Sequence, residues 1–162
     1  LLTDPHFTER ASPFSFMGPK RVTPIPFEIA ELPAVDIVLI SHNHYDHLDK
    51  KSVIQLAQSQ PDIQFLVPLG LKEQLQKWGV KNVTELDWWQ ATNLFGTVIQ
   101  PTPVQHWSKR SAFDRNKSLW AGWMVKWDEE CSLEQCWWKS PQHCAHVRPP
   151  CIGGYLMRCR KI

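Results

Sequence analysis

The apolar run Val35-Asp36-Ile37-Val38-Leu39-Ile40 leads without a break into Ser41-His42-Asn43-His44-Tyr45-Asp46-His47-Leu48-Asp49. A short stretch of β-branched and leucine side chains bounded by polar residues reads as a strand buried on both faces. Three imidazoles and a carboxylate therefore stand where a strand ends and the chain turns. Reactive groups are commonly mounted on a stiff support at such a place.

The spacing suits a metal. In an extended segment, residues two apart project to the same side, so His42 and His44 can grip one ion together. Asp46 and His47 follow once the chain has begun to turn, and they point toward a neighbouring position. Imidazole and carboxylate are ligands for zinc and, less selectively, for iron or manganese. Two such pairs suggest two ions about 3.5–4 Å apart, the geometry that clamps both oxygens of a hydrolytic displacement. The plainer reading, a histidine-rich surface loop, fits poorly with only seven histidines in the whole chain.

Around this stretch the pattern alternates strands and helices. Leu1 to Asp4 reads as a strand end. Pro5 to Pro33 is rich in Pro, Phe and Ser with no helical period, and so reads as an irregular excursion. Its Phe14, Phe16, Met17 and Phe27 either line an apolar groove or pin the loop to the body. Asp49 is an N-cap for a helix through Ser59, with Val53, Ile54, Leu56 and Ala57 inward and Pro61 as its stop. Ile63 to Val67 is a strand, Leu71 to Trp78 a helix closed by Gly79, and Val80 to Leu86 another strand. Val98 to Pro103 leads to His106, again a histidine just past a strand; taken alone, a histidine beside Trp107 is more often a packing or surface residue. Leu119 to Trp127 completes the set, with Trp120 and Trp123 as large buried or rim aromatics. The alternation argues for an α/β layered domain.

The 162 residues are one domain's worth, and a net charge of +2 gives no argument for nucleic acid. No apolar run approaches the ~20 residues that cross a bilayer. The chain opens on Leu1-Leu2-Thr3, which reads like the inside of a strand, so a fragment or processed form is expected. All five cysteines lie between Cys131 and Cys159. The front of the chain is thus cytosolic in habit, with no disulfide framework.

His42-x-His44-x-Asp46-His47 after an apolar strand resembles the signature of the metallo-β-lactamase superfamily. Leu2-Thr3-Asp4-Pro5, Arg10-Ala11-Ser12-Pro13-Phe14, Gly18-Pro19-Lys20-Arg21, Gln105-His106-Trp107 and Asp114-Arg115-Asn116-Lys117-Ser118-Leu119-Trp120 narrow the resemblance to one branch. That branch is the N-acylphosphatidylethanolamine-hydrolysing phospholipase D family and its bacterial RomA-like relatives. The likeness spans residues 1 to about 126. It implies an αββα sandwich of which this chain holds roughly the N-terminal half, with residues 1–126 as a partial domain.

The resemblance further implies two Zn2+ ions, with Mn2+ or Fe2+ as alternatives. His42, His44 and His106 would hold one ion and Asp46 and His47 the other. Asp46 and His47 would thereby be both ligands and catalytic residues, with a hydroxide between the ions as nucleophile. Asp4 would orient a ligand from behind, or serve only as a turn residue. The implied reaction is phosphodiester hydrolysis on a lipid, releasing an N-acylethanolamine and leaving phosphatidic acid. The expected setting is cytoplasmic with peripheral membrane contact. A lactonase or esterase using the same metals, or an inactive metal-binding fragment, are the alternatives.

The chain departs from the family pattern at its end. The family places a bridging aspartate in a Gly-Asp-Thr/Ser motif and a last histidine near the C-terminus, whereas this chain has no Gly-Asp pair. After His106 its only aspartates are Asp114 and Asp128, and His143 and His146 lack the family's flanking residues. Residues 127–162 are instead rich in Cys, Trp and Arg. They read as a reading-frame slip or mis-joined end, as a zinc knuckle of Cys136, His143, Cys144 and Cys151, or as a divergent segment. The expectation is a chain of poor activity from a family of enzymes.

Overall fold

The computed structural model describes residues 1–127 and the backbone of Glu130–Glu134. The readings of Asp128 and of the Cys136–His143–Cys144–Cys151 knuckle lie outside the described residues. Strand β1 (Leu2–Thr3) pairs in parallel with β2 (Ile37–Leu39), β2 with β3 (Gln64–Pro68), and β3 with β4 (Val83–Leu86). A second sheet is antiparallel, in the order β5 (Thr92–Leu94), β6 (Thr97–Thr102), β7 (Gly122–Trp127) and β8 (Glu130–Glu134).

Strand alternation decides how these sheets stack. Val38 and Ile40 join Leu2, Phe65 and Val67 in one core, which also takes Val53 and Leu56 of helix α1 (Lys50–Ser59) and Leu75 of helix α2 (Lys72–Lys77). Ile37 and Leu39 point the other way, into a second core with Leu66, Leu86, Ile99, Trp123 and Val125. The parallel sheet thus has helices on one face and the antiparallel sheet on the other, a helix–sheet–sheet stack. This is the α/β layering expected, and it explains why residues 35–40 carry almost no polar side chain.

The elements begin and end for local reasons. Asp49 caps α1 by accepting from the Ser52 backbone N–H, as expected. Helix α2 is shorter than the 71–78 reading and has no cap of its own. The Glu85 carboxylate of β4 caps it instead, its Oε1 accepting from the N–H groups of Gly70, Leu71 and Lys72 at 2.6, 2.8 and 3.0 Å. Gly70 has φ +94°, and a Cβ there would stand 2.9 Å from the Ser118 Cα. The glycine lets the turn after β3 press against the segment that follows His106. Strand β4 starts at Val83, three residues later than the sequence pattern suggests.

The 5–33 excursion is irregular apart from a single turn at Ile29–Glu31 and a bridge between Arg10 and Lys20. Phe27 packs on the first core, so it pins the loop. Phe14, Phe16 and Met17 are exposed. Phe14 lines a cavity of about 490 Å³ whose other walls are largely polar and charged, among them Arg10, Asp49, Lys50 and Arg110, so it is not the apolar groove expected.

Candidate metal centre

The end of β2 is anchored before the histidines begin. The Ile40 carbonyl accepts from the buried Trp123 indole at 3.1 Å, and the Ser41 carbonyl accepts from the Ala121 backbone N–H at 2.9 Å. Both sheets therefore hold the base of the 42–48 turn. His106 comes from a different loop, between β6 and β7. Trp120 closes the two ends of that loop on each other by donating its indole N–H to the Val104 carbonyl at 2.8 Å, and its own carbonyl accepts from the Trp88 indole at 2.6 Å.

Three ring nitrogens meet. His42 Nε2 lies 2.8 Å from His44 Nδ1 and 2.9 Å from His106 Nε2. Among the described residues, His42, His44 and His106 form a group whose ligand atoms all lie within 4.8 Å of one another. The environment disfavours protons here. Burial, followed by the neighbouring imidazoles, lowers the pKa of His42 from 6.5 to about 2. Burial lowers His44 and His106 in the same sense.

The donor set fits a cation. Ser41 Oγ gives its one proton to Asp4 Oδ2 at 2.6 Å, so it accepts from His42 Nδ1 at 2.8 Å. That leaves a lone pair on His42 Nε2, the atom facing both other rings. His44 Nε2 is buried with no hydrogen-bond partner. Neutral imidazoles whose ring nitrogens crowd on one point are chemically suited to a divalent ion.

Asp46 and His47 do not join this group. Asp46 is 61% exposed, and its Oδ2 lies 3.3 Å from His47 Nε2. His47 Nδ1 lies 2.8 Å from Asp4 Oδ2, and its ring lies 4.1 Å from that of His42, tilted by 41°. Burial works against a proton on His47, but the hydrogen bonds to Asp4 and Asp46 outweigh it and raise its pKa to about 9. Hydrogen bonding to His47 holds Asp46 well below the usual carboxylate range.

Asp4 is the hub of the arrangement. It accepts from Ser41 N at 2.7 Å and Ser41 Oγ at 2.6 Å, and it faces His47. It does so from φ 41°, a left-handed backbone that a non-glycine residue rarely adopts. One residue in this neighbourhood had no signal in the sequence: Arg110. It lies on the His106 loop and reaches back to the 42–48 turn, and only the tertiary contact reveals it.

A family model, Beta-lactamase superfamily domain, matches residues 1–132. An uncharacterised protein of Mycobacterium tuberculosis (strain ATCC 25618 / H37Rv) is 45% identical over 125 residues, 76% of this chain and 33% of that protein. N-acyl-phosphatidylethanolamine-hydrolyzing phospholipase D 1 of Caenorhabditis elegans is 39% identical over 134 residues, 77% of this chain and 38% of that one. The mitochondrial N-acyl-phosphatidylethanolamine-hydrolyzing phospholipase D of Saccharomyces cerevisiae is 40% identical over 129 residues, 77% of this chain and 27% of its own length. The chain thus spans about a third of the curated relatives it matches. Among solved structures, CmlA, a diiron β-hydroxylase from Streptomyces venezuelae, aligns with a TM-score of 0.54 at 19% identity, over 80% of this chain and 24% of that one; this likeness speaks to fold alone. With the family model covering most of its length and its sheets stacked around a strand-end histidine cluster, the chain belongs to the β-lactamase superfamily.

Proposed function

We propose that this chain carries the three-imidazole part of a metal-dependent hydrolase centre acting on a phosphodiester of a lipid. The observation that carries the reading is the convergence of His42 Nε2, His44 Nδ1 and His106 Nε2 from two loops. A divalent ion held there supplies Lewis acidity and lowers the pKa of water from about 15.7 toward about 7. Zn2+ is the natural choice for neutral imidazoles, with Mn2+ or Fe2+ as alternatives.

The chain's own residues define the rest. Asp4, through Ser41, fixes the tautomer of His42, so that its Nε2 stays free to bind. Trp107, whose ring meets that of His44 edge-on at 4.3 Å, packs against one side of the cluster. Asp46 and His47 are assigned to a second ion, which they would hold through a carboxylate oxygen and a ring nitrogen, with Asp4 orienting the His47 ring at 2.8 Å. The substrate follows the names of the Caenorhabditis and yeast relatives. Water adds to phosphorus, the bond to the ethanolamine oxygen breaks, and phosphatidic acid and an N-acylethanolamine result. Contact with such a substrate is peripheral; among the described residues no helix is long and apolar enough to cross a membrane.

A non-catalytic reading has its own support. Asp46 stands outside the three-imidazole group, and the chain has no Gly-Asp pair to bridge two ions. One experiment separates these readings. The chain is loaded with Zn2+ or Mn2+, its bound metal is counted, and its turnover of N-acylphosphatidylethanolamine is set against that of a lactone. Two ions and phosphodiester turnover, both lost in His44→Ala, support the hydrolase. Lactone turnover alone favours the esterase alternative. One ion without turnover of either substrate establishes a metal-binding remnant.

A further inference from the structure

The His106 loop runs from residue 103 to residue 121 without regular secondary structure. Something other than a strand ladder must hold its histidine against those of the 42–48 turn. Within the loop, Ser108 Oγ donates to the Ser118 carbonyl at 2.6 Å, and Asn116 N donates to the Ser108 carbonyl at 2.8 Å. Asp114 Oδ1 accepts from the N–H groups of Arg110 and Ser111 at 2.9 and 2.7 Å. These bonds shape the loop but do not connect it to the first cluster.

Arg110 makes the connection. Its Nη1 donates to the carbonyls of Asn43 and Leu48 at 3.0 and 2.6 Å. Those two carbonyls bracket His44, Asp46 and His47. In return, Tyr45 Oη donates to the Arg110 carbonyl at 3.0 Å. The guanidinium also lies 4.1 Å from the Tyr45 ring centroid and 5.2 Å from that of Trp78. Two turn carbonyls would otherwise lack partners in a half-buried setting, which is costly. A planar guanidinium stacked on two aromatic faces holds its Nη1 within reach of both carbonyls, whereas a lysine ammonium on a flexible stem lacks that fixed, stacked pose. Nothing in the hydrolytic chemistry above requires Arg110.

We propose that Arg110 is a positioning residue for the metal centre: by latching the His106 loop onto the 42–48 turn, with Tyr45 closing the latch from the other side, it sets His106 against His42 and His44. The sheets place each loop's base, and the latch places the loops against each other. What the loops grip rests on the metal reading above; the latch itself does not.

The test uses the 162-residue chain with the variants Arg110→Lys and Tyr45→Phe. Hydrogen–deuterium exchange reads residues 42–49 and 104–118 against β3 and β6, and a Co2+ titration reads affinity and the ligand-field bands. Arg110→Lys is expected to speed exchange in both loops while β3 and β6 keep their protection. It should also weaken Co2+ binding by roughly 10-fold and alter the band intensities. Tyr45→Phe, which deletes one hydroxyl, should move every readout the same way by less, and it carries the test if Arg110→Lys does not fold. Wild-type protection of both loops in the variants overturns the proposal. So does loosened exchange with unchanged Co2+ affinity and spectrum, because the arginine would then serve loop stability alone. A wild-type chain that takes up no Co2+ sinks the metal reading instead, and the exchange data by themselves then decide whether the latch exists.

Discussion

Asp4 shows how much a single side chain can be asked to do. It holds a left-handed backbone, satisfies Ser41 twice, and through Ser41 and His47 steers two imidazoles. In Asp4→Asn, Oδ1 can still accept from Ser41 N, but the second acceptor is gone. Metal affinity should fall about 10- to 100-fold with the fold intact, as isothermal titration can show. The histidines also set a pH dependence for the metal-free chain. Folded His6, His42, His44 and His106 have pKa values below 6.5, so the unfolded chain takes up protons there first and stability is lost as pH falls through 6.5. His47 has the opposite sign: its contribution is complete below 6.5 and fades as pH rises toward about 9. The unfolding midpoint should therefore be highest close to neutrality. A midpoint that climbs from about pH 7 to about pH 5 would contradict this account. At this scale the histidines were legible because their spacing is local. Arg110 was not, because its partners lie more than 60 positions away.

Elements were readable where their signals are short-range. Helix α1 announced itself through Asp49, an apolar face and Pro61. Helix α2 has its apolar face, but its cap comes from Glu85, thirteen residues beyond Lys72. Glu85→Ala strips a shared acceptor from three N–H groups and should cost about 1–2 kcal/mol in denaturant unfolding. The β5–β6 hairpin escaped notice for a related reason. Leu94 pairs with Thr97 across Phe95-Gly96, both at positive φ, 54° and 78°. That is the backbone of a turn that prefers Asn-Gly, and the phenylalanine hides it. Phe95→Asn should relieve the strain and stabilise the chain by roughly 0.5–1 kcal/mol, read from the same unfolding curves. An unchanged or lower midpoint would show that the exposed ring has a packing role.

For the molecule as a whole, stability and ion binding are linked, since an ion that binds only the folded state stabilises it by mass action. At ~100 times its dissociation constant a single ion adds about 2.7 kcal/mol, or roughly 5–11 °C in Tm for a chain of this size. Removing the ion with a chelator should reverse the gain, and His106→Ala should abolish it. By itself the sequence determined the α/β class, the buried strand feeding a histidine turn, and the residue types able to hold a cation. Each of these follows from side-chain period and spacing, which are properties of neighbours along the chain. Tertiary structure alone decided how closely His106, expected from the resemblance, meets His42 and His44, that His47 turns to both Asp46 and Asp4, and that Glu85 and Arg110 hold distant segments in place. Those contacts close long loops, and the free energy that closes them comes from packing two sheets and a helical layer, which no local pattern encodes.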